Sequence, residues 1–173
     1  MVLPTGNIVD DILAISHAPH GVLDVIAQKV TLKPGSIEEP KHYLGANISR
    51  CTVLDGNGEL PMKQVWTISA QEYIKRAIEE VGRELNESGQ FLPKKIETPL
   101  SSGYLPEFDF MPELCAQQTN YYQGLIGILR WVVELGRIDI IMPVSFLSCY
   151  LVSPQEGHLQ QAYQIFACLK QFN

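Results

Sequence analysis

No stretch of this sequence reaches the roughly eighteen uninterrupted apolar residues that a membrane-spanning helix requires. Met1 to Val9 also lacks the basic start and long apolar middle of a secretion signal. Neither membrane insertion nor secretion is expected. Cysteine is sparse and dispersed: Cys51, Cys115, Cys149 and Cys168 show no Cys-x-x-Cys spacing with which neighbouring thiolates could share a zinc ion. Free, reduced and mostly buried thiols are the reading. Positive charge is short as well. With 13 basic against 19 acidic residues the net charge is −6, which argues against a stand-alone nucleic-acid binder. Any basic groove must come from a local patch or from sequence outside this chain.

What the chain does have is core material. Hydrophobic residues make up 46% and charged residues 18% of its 173 positions, enough for about one domain. Ile8-Val9 and Ile12 to Ile15 are two short β-type runs separated by adjacent aspartates, which sit best at a turn. His17 to Val30 suits a short helix carrying Val22, Leu23, Val25 and Ile26, ended by Lys33-Pro34-Gly35. Tyr43 to Leu54 and Met62 to Ile68 read as the two strands of a hairpin whose turn is Asp55-Gly56-Asn57-Gly58.

Ser69-Ala70-Gln71-Glu72 has the form of a capping box. The helix after it places Ile74, Ala77, Ile78, Val81 and Leu85 on one face and stops at Gly89. Between Leu92 and Ala116, prolines at 93, 99, 106 and 112 predict an irregular connection along the surface. Three helices are predicted beyond it, over Thr119 to Leu135, Asp139 to Val152 and Pro154 to Gln171. The last opens on a second capping box, Ser153 to Glu156, and carries Leu159, Ala162, Tyr163, Phe166 and Leu169 on one face.

Asp10 and Asp11 are the residues with chemical potential. Adjacent carboxylates at a tight turn repel each other unless a divalent cation lies between them and their partners. Hard oxygen ligands on a hairpin suit magnesium, and two such ions can activate a 3′-hydroxyl and stabilise a leaving pyrophosphate. As a bare pattern the pair is common, and an ordinary solvated turn is the blander reading.

The flanking sequence adds a resemblance. Val9-Asp10-Asp11-Ile12-Leu13 resembles the Val-Asp-Asp strand-turn-strand of reverse transcriptases. Thr31 to Ser36, Glu39 to Ala46, Tyr73 to Ala77, Thr98 to Leu100, Tyr121 to Gly127, Arg137 to Ile140, Ser145 to Tyr150, Gly157 to Leu159 and Phe166 to Lys170 follow in the order of copia-type retrotransposon polymerases. The fold this resemblance implies is α+β: a partial palm of antiparallel hairpins, then a helical thumb or connection region. It implies segments 1–68 (partial palm and primer-grip hairpin), 69–117 (helix and proline-rich connection) and 118–173 (helical thumb or connection).

By the same resemblance Asp10 and Asp11 match the catalytic, metal-binding pair, with Mg2+ or Mn2+ as cofactor in the complete polymerase. Tyr43, Leu44 and Gly45 match the turn that holds the primer terminus, where glycine suits close backbone approach. Lys33 falls where the family often carries a lysine near the triphosphate, although a lone loop lysine is more often a solvated charge. The partners implied are an RNA/DNA template-primer, a deoxynucleoside triphosphate, an N-terminal palm and fingers, and a downstream RNase H region. The location implied is cytoplasmic, in the element's virus-like particle, with nuclear access.

Some positions depart from the family. Ile8 stands where an aromatic residue is usual, Pro4 and Gly6 interrupt the first strand, and the strand bearing the third carboxylate has no counterpart here. The isolated chain is therefore expected to be inactive in primer extension and weakly stable. The alternative is a non-catalytic retroelement remnant. A small hydrolase using the two aspartates as acid and base has no support, because nothing separates their environments. His17 and His20 read as solvated or capping residues, and Tyr121, Tyr122 and Trp131 as core.

Overall fold

The computed structural model describes residues 12–35, 37–53 and 63–172. Asp10 and Asp11, and the turn expected at Asp55 to Gly58, lie outside the described residues. The chain divides into two compact units between Ile68 and Ser69.

In the first unit, Ile12 to Ile15 has no strand assignment, contrary to the sequence reading. Ile15 is 87% exposed, so the apolar run alone does not make a strand without a ladder partner. Helix α1 spans Pro19–Ala27, with proline in its first turn where the missing N–H matters least. It buries none of its residues: Leu23 and Ile26 are half-buried, while Val22 and Val25 face solvent.

Strands β1 (His42–Tyr43), β2 (Ala46–Val53) and β3 (Lys63–Ser69) form one sheet in that order. The first strand expected at Tyr43 to Leu54 is thus interrupted after Tyr43, and β1 pairs antiparallel with β2 through His42↔Asn47 and Tyr43↔Ala46. Across β2 and β3, Ser49 Oγ and Thr67 Oγ1 lie 2.9 Å apart, and Thr67 also donates to the Ser49 carbonyl at 3.1 Å. β-Branched and hydroxyl side chains suit such cross-strand pairing.

The second unit is helical. Helix α2 (Gln71–Glu87) buries Ile74, Ala77, Ile78, Val81 and Leu85, the face that the 3.6-residue period predicts. Its N-cap is Ala70, so the expected capping box does not form; Ser69 Oγ instead accepts the Gln71 N–H at 3.3 Å. At the other end the Gln90 N–H returns to the Leu85 carbonyl at 2.8 Å, past Gly89.

Helix α3 (Ala116–Glu134) begins on Cys115, whose N–H donates to Gln118 Oε1 at 3.1 Å. Beyond Gly136, Arg137 donates from Nε and Nη2 to Asp139, 2.8 Å each. That paired guanidinium holds the Asp139 carboxyl below its usual range. Helix α4 is Ile141–Ser148, shorter at both ends than predicted, and α5 is Glu156–Gln171.

One core takes Ile74 and Val81 from α2, Leu129 from α3, Leu147 from α4 and Phe166 from α5. The segments expected on either side of residue 117 therefore share it. Tyr122 is fully buried and its hydroxyl donates to the Leu147 carbonyl at 2.7 Å, confirming this aromatic as core. Of the four free cysteines only Cys168 is buried; Cys115 and Cys149 are exposed and Cys51 is intermediate. The expectation of mostly buried thiols fails because Cys115 sits at a helix start and Cys149 at a helix end.

The proline-rich connection is fastened by glutamines of α5. Gln161 accepts the Ser101 N–H at 2.8 Å, Gln164 donates to the Thr98 carbonyl at 2.9 Å, and Gln171 brackets Ile96 through both its N–H and its carbonyl. Backbone groups that no helix or sheet can satisfy find side-chain partners instead.

A second fastening surrounds the start of α5. His158, fully buried, accepts the Gln155 N–H on Nδ1 at 2.9 Å, which leaves Nε2–H to donate to the Pro106 carbonyl at 3.1 Å. Tyr150 stacks on the same ring at 4.2 Å between centroids. Beside it the Tyr104 hydroxyl donates to Asp109 Oδ2 at 2.7 Å, and Asp109 Oδ1 accepts the Met111 N–H at 3.0 Å. Burial, and then the bond to Asp109, hold the Tyr104 phenol far above its usual range, so it remains a donor. The capping box expected at Ser153 to Glu156 is displaced by two residues: Gln155 is the N-cap, and Ser153 bonds Glu113 instead.

Candidate nucleic-acid interface

The β1–β2 connection has only two residues, Leu44 and Gly45, and both have positive φ, 50° and 87°. A two-residue hairpin turn of this hand matches the right-handed twist of its strands, and it demands left-handed backbone at both positions. Glycine adopts that conformation freely. Leucine does so at a cost of about 1–2 kcal/mol. Leu44 is 49% exposed, so the first unit holds a strained, half-exposed apolar residue at a hairpin tip. Immediately behind the turn, His42 Nδ1 and Asn47 Oδ1 lie 2.8 Å apart across the strands, and half-buried Tyr43 faces buried Ala46.

Gly45→Ala is expected to destabilise the hairpin by about 1 kcal/mol, and Leu44→Gly to relieve strain of similar size. Amide exchange at Ala46 to Ile48 would read both changes. Equal exchange in the two variants would show that the turn is not strained.

The remaining sequence-selected residues are not gathered here. Lys33 is exposed in the irregular segment before Gly35. His17 and His20 are exposed and in no metal-binding group, and among the described residues no group of three or more His, Cys, Asp or Glu could hold a metal ion. Among the described residues no helix is long and apolar enough to cross a membrane.

One group was not visible to sequence reasoning. Arg50 on β2 lies over the Trp66 ring of β3, 4.6 Å from its centroid, and also forms an ion pair with Glu39. All three side chains are about half exposed. The sequence signal is slight: Arg50 and Trp66 lie on neighbouring strands, beside Ser49 and Thr67, whose hydroxyls also meet across those strands.

Against known proteins, the chain is 30% identical over 164 residues to a Saccharomyces cerevisiae (strain ATCC 204508 / S288c) protein named for the transposon Ty5-1. The alignment takes in 93% of this chain and 46% of that protein. By that similarity the chain finds support for a retroelement-derived origin. It thus spans about half the length of the curated relative it matches. No family model matches the chain, and no solved structure matches it.

Proposed function

We propose that this chain is the C-terminal half of a copia-type reverse transcriptase, in which Asp10 and Asp11 hold the catalytic magnesium ions and the β1–β2 hairpin contacts the primer. The observation that carries the reading is the Leu44–Gly45 turn. Both its residues have left-handed backbone, and its leucine is half exposed on a short hairpin. Strain of this kind collects at functional sites. It falls on the Tyr43-Leu44-Gly45 block that resembles the primer-holding turn, while the Val9 to Leu13 block supplies the carboxylates. In this reading the first unit is the end of a palm and the helical second unit a thumb or connection. The template-primer and the triphosphate lie on a surface shared with an upstream palm and fingers.

Asp10 and Asp11, with a third carboxylate from an upstream palm, would hold Mg2+, which would supply Lewis-acid stabilisation for transfer of a nucleotide to a primer 3′-hydroxyl. Lys33 would neutralise phosphate charge as a point charge. The irregular Ile12 to Ile15 segment and the net charge of −6 favour the second reading, a remnant without polymerase activity.

Primer extension on an RNA template separates the two. A protein carrying this chain behind its own element's upstream palm and fingers should incorporate nucleotides in magnesium, and the 173-residue chain alone should not. No incorporation by the longer protein in either magnesium or manganese would leave the remnant as the correct reading.

A further inference from the structure

We propose that the Glu39–Arg50–Trp66 group is a stacking site for a base of single-stranded nucleic acid, with Glu39 holding Arg50 until a phosphate takes its place. The inference deepens the nucleic-acid reading above and rests on it.

Along β2 the alternation of side chains carries Ala46, Ile48 and Arg50 to one face, buried at its start and open from Arg50 onward. At that opening stands Trp66, the largest π surface in the first unit, 49% exposed. A tryptophan placed only to stabilise the sheet would gain most by burying that area. Arg50 covers part of the ring, and its planar guanidinium is itself a surface on which bases stack. Stacking accepts any base, because every base has a π face, so the site suits a strand that must pass through many sequences.

Glu39 gives the group its second property. It comes from the irregular segment before β1, and its ion pair with Arg50 has both side chains more than half exposed. Exposed pairs of this kind contribute little and exchange readily. A phosphate offers the guanidinium the same bidentate geometry as the carboxylate. The described part of this unit also carries exposed Lys29, Lys33 and Lys41. The turn at Leu44–Gly45 lies at the other end of β2, so a primer held there could run along the strand to Trp66.

The test is the binding of dye-labelled oligothymidylate to the 173-residue chain at low salt, read by fluorescence anisotropy. Trp66→Ala should weaken binding about tenfold, and Trp66→Phe, which keeps a ring and guards against misfolding, by only a few-fold. Glu39→Gln should tighten binding about threefold, since it removes the carboxylate that competes with phosphate. A purely structural cation–π pair predicts otherwise: Trp66→Ala would lower thermal stability and leave oligothymidylate affinity unchanged.

Absence of binding by the native chain, equal binding by Trp66→Ala, or weaker binding by Glu39→Gln would each overturn the proposal. The outcome is separable from the polymerase reading. Loss of oligothymidylate binding with intact primer extension in the longer protein sinks the platform alone, and binding without extension sinks the polymerase alone.

Discussion

Gly157→Ala is expected to lower the melting temperature of this protein's helical unit by roughly 10–20 °C, an effect of about 2–3 kcal/mol. A Cβ built on Gly157 would stand 2.6 Å from Asp109 Cγ and closer still to Oδ2. Asp109 is 9% exposed and makes two bonds, one from the Tyr104 hydroxyl and one from the Met111 amide. It cannot withdraw without breaking both part-buried bonds, each contributing about 1 kcal/mol. The adjacent His158 joins the same fastening. His158→Ala would strand the Gln155 N–H and the Pro106 carbonyl and open a cavity, at about 3–5 kcal/mol in total.

The two changes should be less than additive, because both release the 104–111 segment from α5. Gly82→Ala supplies the opposite sign. Gly82 also lies within a helix, but nothing stands within 4 Å of its added Cβ, so alanine there should stabilise by about 0.5–1 kcal/mol. Thermal melts of the three variants decide the matter, and a Gly157→Ala protein as stable as the native one would refute the steric argument.

The second large effect concerns activity. In the longer protein that extends primers, Asp10→Asn is expected to reduce incorporation by about 10³-fold, equivalent to ~4 kcal/mol of transition-state stabilisation. Asparagine preserves shape and one oxygen but removes the negative charge that holds a hard cation. Asp11→Asn should act comparably, since in the proposed site both carboxylates would be needed to hold the ions. Lys33→Ala, at an exposed loop position, should change incorporation only a few-fold. Single-turnover primer extension with saturating magnesium distinguishes these cases. Retention of more than a tenth of the native rate in Asp10→Asn would remove that residue from the metal site.

Local periodicity made much of the helical unit legible. The α2 face of Ile74, Ala77, Ile78, Val81 and Leu85 is buried as the spacing predicts, because an amphipathic stripe needs no knowledge of its partner to be recognised. The helix ends were less legible. Ser69 to Glu72 and Ser153 to Glu156 both have the capping-box pattern, yet the first helix is capped at Ala70 and the second at Gln155. Ser153 is drawn to Glu113, forty residues away in the chain, a competition that no local window contains.

Gln161, Gln164 and Gln171 share a helical spacing that could have signalled a polar stripe binding a loop, but only the fold names the loop. The same holds for Arg50 and Trp66. Each reads as an ordinary strand residue, and the cross-strand register makes them a pair.

The sequence by itself determined the retroelement resemblance, the positions of the long helices and the α2 core face, all of which depend on residue order or on contacts within a few turns. Tertiary structure alone decided three things: that Ile12 to Ile15 lacks a strand, that His158 and Asp109 lock a proline-rich segment onto α5, and that Arg50 stacks on Trp66. A strand needs a partner ladder, a buried polar group needs a complementary one, and a stacked pair needs a register. Each is a relation between residues far apart in the chain, and only the folded backbone brings them within reach.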